Sequence, residues 1–106
     1  MTPVIVLTTV GADFDARPLA RELVEQRLTA CVNIVGAVTS IYRWQDRIEE
    51  DGEQLLVIKT VDANIEALRQ ELVARHPYEV PEFVVLPVQS TSEAYGAWLL
   101  ESTRSV

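Results

Sequence analysis

Three unbroken apolar runs constrain this chain most: residues 4–7 (VIVL), 55–58 (LLVI) and 83–86 (FVVL). Successive side chains of a strand point to opposite faces, so such a run puts hydrophobic groups on both faces at once. Helices covering one face of the sheet leave the other in need of a cover. A chain of 106 residues has the size of one domain, residues 1–106, with no second core to supply it. The economical cover is another copy of the chain, and closed cyclic symmetry with two or three copies is the default arrangement.

The remaining elements follow from periodicity. Residues 4–7 with Thr8 and Thr9 read as a central strand. A turn from Gly11 to Asp15 precedes a helix, ending near Leu28, in which Ala16, Leu19, Ala20, Leu23 and Val24 share a face and Asp15 is the expected N-cap. From Ala30 to Trp44 the side chains suit a long strand, with Tyr42 and Trp44 on one face and Ile41 and Arg43 on the other. Gln45, Asp46 and Arg47 form the expected hairpin turn, and the acidic run Glu49, Glu50, Asp51, Gly52 suggests a bulge before the strand resumes from Glu53 to Thr60. Asp62 is the expected cap of a second helix buried through Ile65, Leu68 and Leu72, which stops before His76-Pro77. A last strand at residues 83–86 meets Pro87, which lacks an amide donor and so marks an edge. Ser92 caps a terminal helix carrying Tyr95, Trp98 and Leu99. The order β-α-β-β-α-β plus a C-terminal helix fits an α+β, ferredoxin-like split βαβ sandwich.

Sixteen acidic residues against nine basic ones give a net charge of −7 and a pI near 4.6, which disfavours a phosphate-backbone binder and so argues against nucleic acid as partner. One cysteine leaves no intrachain disulfide. No stretch approaches the roughly 20 apolar residues of a membrane span, and no leader pattern opens the sequence. The expected location is the cytoplasm, away from membranes. A Walker lysine loop, a Gly-x-Gly-x-x-Gly turn, a nucleophile elbow and a Cys-x-x-Cys pair are all missing from the sequence, so no enzyme mechanism is expected.

His76, the only histidine, lies in the Pro-bounded segment HPYEVPE beside Tyr78, Glu79 and Glu82. An imidazole so placed can ligate a divalent metal or move a proton, though a lone histidine in such a turn is more often a structural hydrogen-bonder. Cys31 enters a strand and reads as a buried small hydrophobe, with a soft-metal thiolate as the functional alternative. One thiol and one imidazole per chain cannot close a tetrahedral site, so a metal site here is shared, open or weak. Lys59, next to the run 55–58, needs a partner, and Glu82 or an anionic ligand fits that need. Arg43 is the second cation in a predicted strand. Tyr42, Trp44, Tyr95 and Trp98 are assigned first to core or subunit packing.

The segments ACVNI at 30–34, SIYRW at 40–44, IKT at 58–60, and His76-Pro77-Tyr78 through Pro81-Glu82, in this order, resemble the CutA divalent-cation tolerance family. The resemblance implies a ferredoxin-like protomer in a tight homotrimer similar to PII-type signalling proteins, and a link to copper and other divalent ions. Family copper ligands, a cysteine near the end of the first strand and two adjacent histidines before the Pro-Tyr, correspond by resemblance to Thr8, Arg75 and His76. Only His76 keeps the ligand type. The better-matched set is Cys31, Lys59, His76, Tyr78 and Glu82, which the resemblance places at a subunit cleft. Three functions follow as expectations: a copper or divalent-cation responder using His76, Cys31 and Glu82; a PII-like sensor holding a small anion with Arg43, Lys59, Tyr78 and Glu82; and a structural assembly module.

Overall fold

A computed structural model describes residues 1–103. Four strands form one antiparallel sheet: β1 (Pro3–Gly11), β2 (Cys31–Trp44), β3 (Arg47–Val61) and β4 (Val84–Pro87), in spatial order β2-β3-β1-β4. Helices α1 (Arg17–Glu25) and α2 (Ile65–Arg75) connect them in the split βαβ manner, and α3 (Glu93–Ser102) ends the described chain. This is the ferredoxin-like α+β sandwich that the order of elements predicts. β4 lies at the sheet edge and ends at Pro87, paired with Val4.

The strict alternation of fully and partly buried residues along β1 sorts the two faces. Val6, Val10, Leu56 and Ile58 point to the helices and pack with Leu19 and Leu23 of α1 and Leu68 and Leu72 of α2. Each fully buried aliphatic side chain contributes about 1.5–3 kcal/mol. Ile5, Leu7, Leu55 and Val57 take the opposite face and remain half-buried, while Val84 and Leu86 beside them are 44% and 43% exposed. Only one end of this second face is covered, where Leu99 of α3 packs on Val61 and Ala30. Among the described residues, the rest of it has no cover.

Several local expectations give way to tertiary structure. The β2–β3 ladder runs unbroken from Thr39↔Gly52 to Trp44↔Arg47, so the acidic run is regular strand. The bulge sits instead in β2, between Val35 and Val38, where Ala37 adopts φ 60°. Asp15 does not cap α1, whose N-cap is Ala16. Its carboxylate instead accepts from the amide and guanidinium of Arg17. Asp62 starts a short 3-10 turn and accepts from the Thr2 amide at 2.9 Å, and the α2 N-cap is Asn64. Helix α1 stops at Glu25 in a Schellman motif: the Leu28 amide donates to the Leu23 carbonyl and the Arg27 amide to Val24, with Arg27 at φ 61° where glycine is usual. Val24, expected on the buried stripe, is 41% exposed.

The hairpin turn is two residues long. Gln45 and Asp46 have φ of 51° and 64°, the type I′ pattern that matches strand twist but penalises side chains with a Cβ. Replacing this pair with Asn-Gly should raise stability by about 1 kcal/mol. Urea unfolding of the double variant checks this, and an unchanged midpoint would show that the turn carries no strain.

Candidate functional site

In a protomer 44 Å long, the long hairpin forms one wall of a groove of about 1210 Å³. The opposite wall is the segment 77–82, and the floor is the end of β1 with the turn after it. His76 ends α2 and anchors this segment. It is buried, with Nε2 at 2.8 Å from the Thr9 carbonyl and 3.3 Å from Thr8 Oγ1. The Tyr78 amide donates to Nδ1 at 3.0 Å. A carbonyl only accepts and an amide only donates, so the partners assign the proton to Nε2 and leave Nδ1 as acceptor. Burial pushes the His76 pKa below its ordinary value, against weaker upward pulls from the Thr9 carbonyl and Glu53. The imidazole is therefore neutral at pH 7.

Prolines at 77 and 81 bracket the segment, which bends over residues 77–80, and Tyr78 reaches back across the groove to donate its hydroxyl to Glu53 at 2.5 Å. Glu53 sits at the register position opposite Gly11 on β1 and is only 7% exposed. Beside it, Tyr42 donates to the Asp51 carboxylate, its diagonal neighbour across the hairpin. That bond, helped by desolvation, pushes the Tyr42 pKa up to about 12. Burial, followed by the bond to Glu53, moves the Tyr78 pKa higher than that of an ordinary phenol. Both phenols stay protonated across the physiological range.

The sequence-predicted site residues do not gather within one protomer. Lys59 lies opposite both Ile5 and Cys31, toward the far end of β1 from Thr9. Its ammonium stands 5.9 Å over the Tyr95 ring, and it forms no ion pair with Glu82. Arg43 pairs with Ile48 near the hairpin tip, eleven residues along β3 from Lys59, about 36 Å at the strand rise. Tyr78 and Glu82 line the groove. Cys31 is half-buried rather than enclosed, with its thiol 3.7 Å from Asn33 Oδ1. Tyr42, Trp44, Tyr95 and Trp98 are each 40–45% exposed, so none belongs to the protomer core. Sequence reasoning gave Asp51 to a bulge and Glu53 to the start of a strand, and named neither as a site residue. The hairpin register held the signal for Asp51, because a turn at 45–46 puts it diagonally across from Tyr42.

A family-type copper centre does not fit the donors present. Thr8 and His76 do come together, but the threonine hydroxyl is no thiolate and both imidazole nitrogens are engaged. Arg75 is turned to Glu22 and Glu71. Among the described residues no three His, Cys, Asp or Glu side chains are placed to hold one ion.

Comparison with known proteins agrees with the fold. The model of the CutA1 divalent ion tolerance protein family matches residues 4–102. The divalent-cation tolerance protein CutA of Thermus thermophilus is 48% identical over 99 residues, covering 93% of this chain and 96% of that protein. Its solved structure superimposes with a TM-score of 0.91 at 47% identity, covering 96% and 99% of the two chains. The crystal structure of CutA1 from Oryza sativa gives 0.93 at 36% identity, covering 100% and 97%. Human protein CutA is 45% identical over 91 residues, or 86% of this chain, which spans about half (51%) of the length of that relative. Fold, family match and relatives coincide over nearly the whole length, and the chain belongs to the CutA1 divalent ion tolerance family.

Proposed function

We propose that this chain serves divalent-cation tolerance as a cytoplasmic homotrimer without enzymatic activity, and that copper or another divalent cation is met weakly at a subunit boundary. The observation that carries the reading is the bare sheet face. Ile5, Leu7, Leu55 and Val57 are half-buried and flanked by the exposed Val84 and Leu86, an apolar row that the helices of the protomer leave uncovered. Tyr95 and Trp98 lie at the covered end of that face and belong to the proposed contact, whereas Tyr42 and Trp44 line the groove. Within one protomer no ion-holding cluster exists among the described residues, so a site drawing ligands from two subunits is the arrangement consistent with metal binding. Cys31, half-exposed, and Glu82, exposed at the groove, are the ligands left available. His76 is a positioning residue in this reading. Calorimetric copper titration should show weak binding that falls in Cys31→Ser or Glu82→Gln and persists in His76→Gln. Binding that only the His76 substitution removes would overturn the assignment.

One observation favours a PII-like sensor of a small anion as second reading. Lys59 holds its charge half-buried against a ring face, and no carboxylate pairs with it among the described ion pairs. Arg43 would then have to come from another copy. A thermal-shift screen of nucleotides and carboxylates tests this, since a ligand at 100 times its Kd adds about 2.7 kcal/mol. A screen without shifts would remove the reading.

A further inference from the structure

The segment 77–82, which walls the groove, is tied down at its two ends and at one residue between them. His76 is buried at one end, and Phe83 packs against the main core at the other. Between these anchors the segment makes no backbone-to-backbone hydrogen bond among the described residues, and Pro77, Glu79, Val80 and Glu82 are exposed. Both hydrogen bonds that hold it come from Tyr78. Its amide donates to Nδ1 of His76 at 3.0 Å, and its hydroxyl donates to Glu53 at 2.5 Å. A segment with few buried apolar contacts and no ladder bonds opens at a fraction of the free energy of global unfolding.

The closed state is held against an opposing pull. It keeps the Glu53 carboxylate out of water, with a neutral phenol as its donor. Opening costs the two bonds of Tyr78 but rehydrates the carboxylate and the phenol, which offsets much of that cost. The prolines at 77 and 81 have fixed φ and restrict the residues before them. The detached segment therefore gains little disorder and swings on its ends rather than melting. The rest of the fold does not have to follow, because the ladder of β4 starts only at Val84 and Arg75 stays tied to Glu22 and Glu71. The Thr9 carbonyl keeps hold of Nε2, so opening bares Nδ1 alone.

We propose that residues 77–82 form a strap that opens as a unit from an otherwise closed fold, with Tyr78 as its single latch. Closed, the strap walls the groove and seals one nitrogen of the only histidine. Open, it widens the groove and presents that nitrogen and the Glu53 carboxylate to solvent together. Such a strap goes beyond both functional readings and depends on neither, because it is read out on the imidazole itself.

Diethyl pyrocarbonate is the probe, since it acylates an imidazole through a nitrogen whose lone pair is free, and the single histidine makes the ultraviolet signal of the adduct specific. The full chain is treated at pH 7 beside free N-acetylhistidine, as wild type, Tyr78→Phe and Tyr42→Phe. The last variant is the control, because it removes the neighbouring bond to Asp51 on the hairpin wall and leaves the strap untouched. The wild type should react far more slowly than the free amino acid. Tyr78→Phe keeps the ring and loses the bond to the carboxylate, so it should react roughly tenfold or more faster than the wild type, and Tyr42→Phe at the wild-type rate. Below the unfolding transition the wild-type rate should not change with urea, because a small opening exposes little new surface. A wild type that reacts like the free amino acid would mean that no strap is closed. A rate that climbs with urea on the slope of global unfolding would mean that the segment opens only with the whole fold. Unaltered reaction of Tyr78→Phe, or equal acceleration by Tyr42→Phe, would remove Tyr78 as the latch. Each of these results overturns the proposal. Circular dichroism establishes that the variants are folded, and should Tyr78→Phe fail to fold, the urea dependence of the wild type decides alone.

Discussion

Leu7→Glu should convert an assembly of about 36 kDa, three chains of 11.9 kDa, into a folded monomer. Leu7 stands mid-strand on the bare face, in a row with Val84 on one side and Val57 on the other. In the isolated protomer it is half-buried, so a glutamate there still reaches water and the fold survives. In a closed assembly the same carboxylate is taken from solvent at every symmetry-related contact, without a cation placed to meet it. The effective cost is several kcal/mol per buried ion, repeated around the ring. Sedimentation equilibrium reads the result directly, and far-UV circular dichroism should be unchanged. A variant sedimenting with the wild type, or a wild type that is itself monomeric, sinks the trimer. The neighbouring Val6→Glu provides the contrast. Val6 is fully buried under the helices, and this substitution should abolish folding rather than assembly.

That contrast shows what the sequence made legible. Consecutive apolar residues announced two buried faces, and the helix-facing half is in place within the protomer. The same pattern cannot say what covers the other half, because a strand reports burial and not the identity of its cover. Element order was readable since each helix and strand carries its own periodicity. Local punctuation was not. The bulge was placed on the acidic run from composition, whereas the ladder breaks at Gly36-Ala37, where register with β3 decides. Asp15 and Asp62 have the right chemistry for helix caps, yet each is drawn to a competing donor, Arg17 and the Thr2 amide.

The groove illustrates the same limit at a site. Two of its polar pairs link residues whose relation the fold creates: Tyr78 with Glu53 lies 25 positions apart, and His76 with Thr9 67 positions apart. Residue type left His76 between a ligand and the more usual structural hydrogen-bonder, and gave Glu53 only a place at the start of a strand. Tertiary structure ties the imidazole into the scaffold and buries the Glu53 carboxylate at the groove. A feature visible only through long-range pairing is one that no single-chain pattern can rank.

His76→Ala should therefore act on stability, lowering the free energy of unfolding by about 2–4 kcal/mol. The substitution removes the bonds to Thr9, Thr8 and Tyr78, strands the Tyr78 amide, and leaves a void under the segment 77–82. The pH dependence identifies the mechanism. Burial holds the folded-state pKa of His76 below the value of about 6.5 expected for the unfolded chain. Between the two values the unfolded chain binds more protons, so stability rises with pH through that window. This contribution is fully present above pH 6.5 and is lost progressively as the pH falls below it. Protonation also turns Nδ1 from acceptor to donor, facing it against the Tyr78 amide. His76→Gln lacks the titrating group, so the stability gap between wild type and this variant should shrink as the pH falls from 7.5 to 5.5. Urea titrations at several pH values measure it. A gap that stays constant would mean that His76 does not change its proton affinity on folding, and the neutral, doubly engaged imidazole would have to be abandoned as the anchor of the groove.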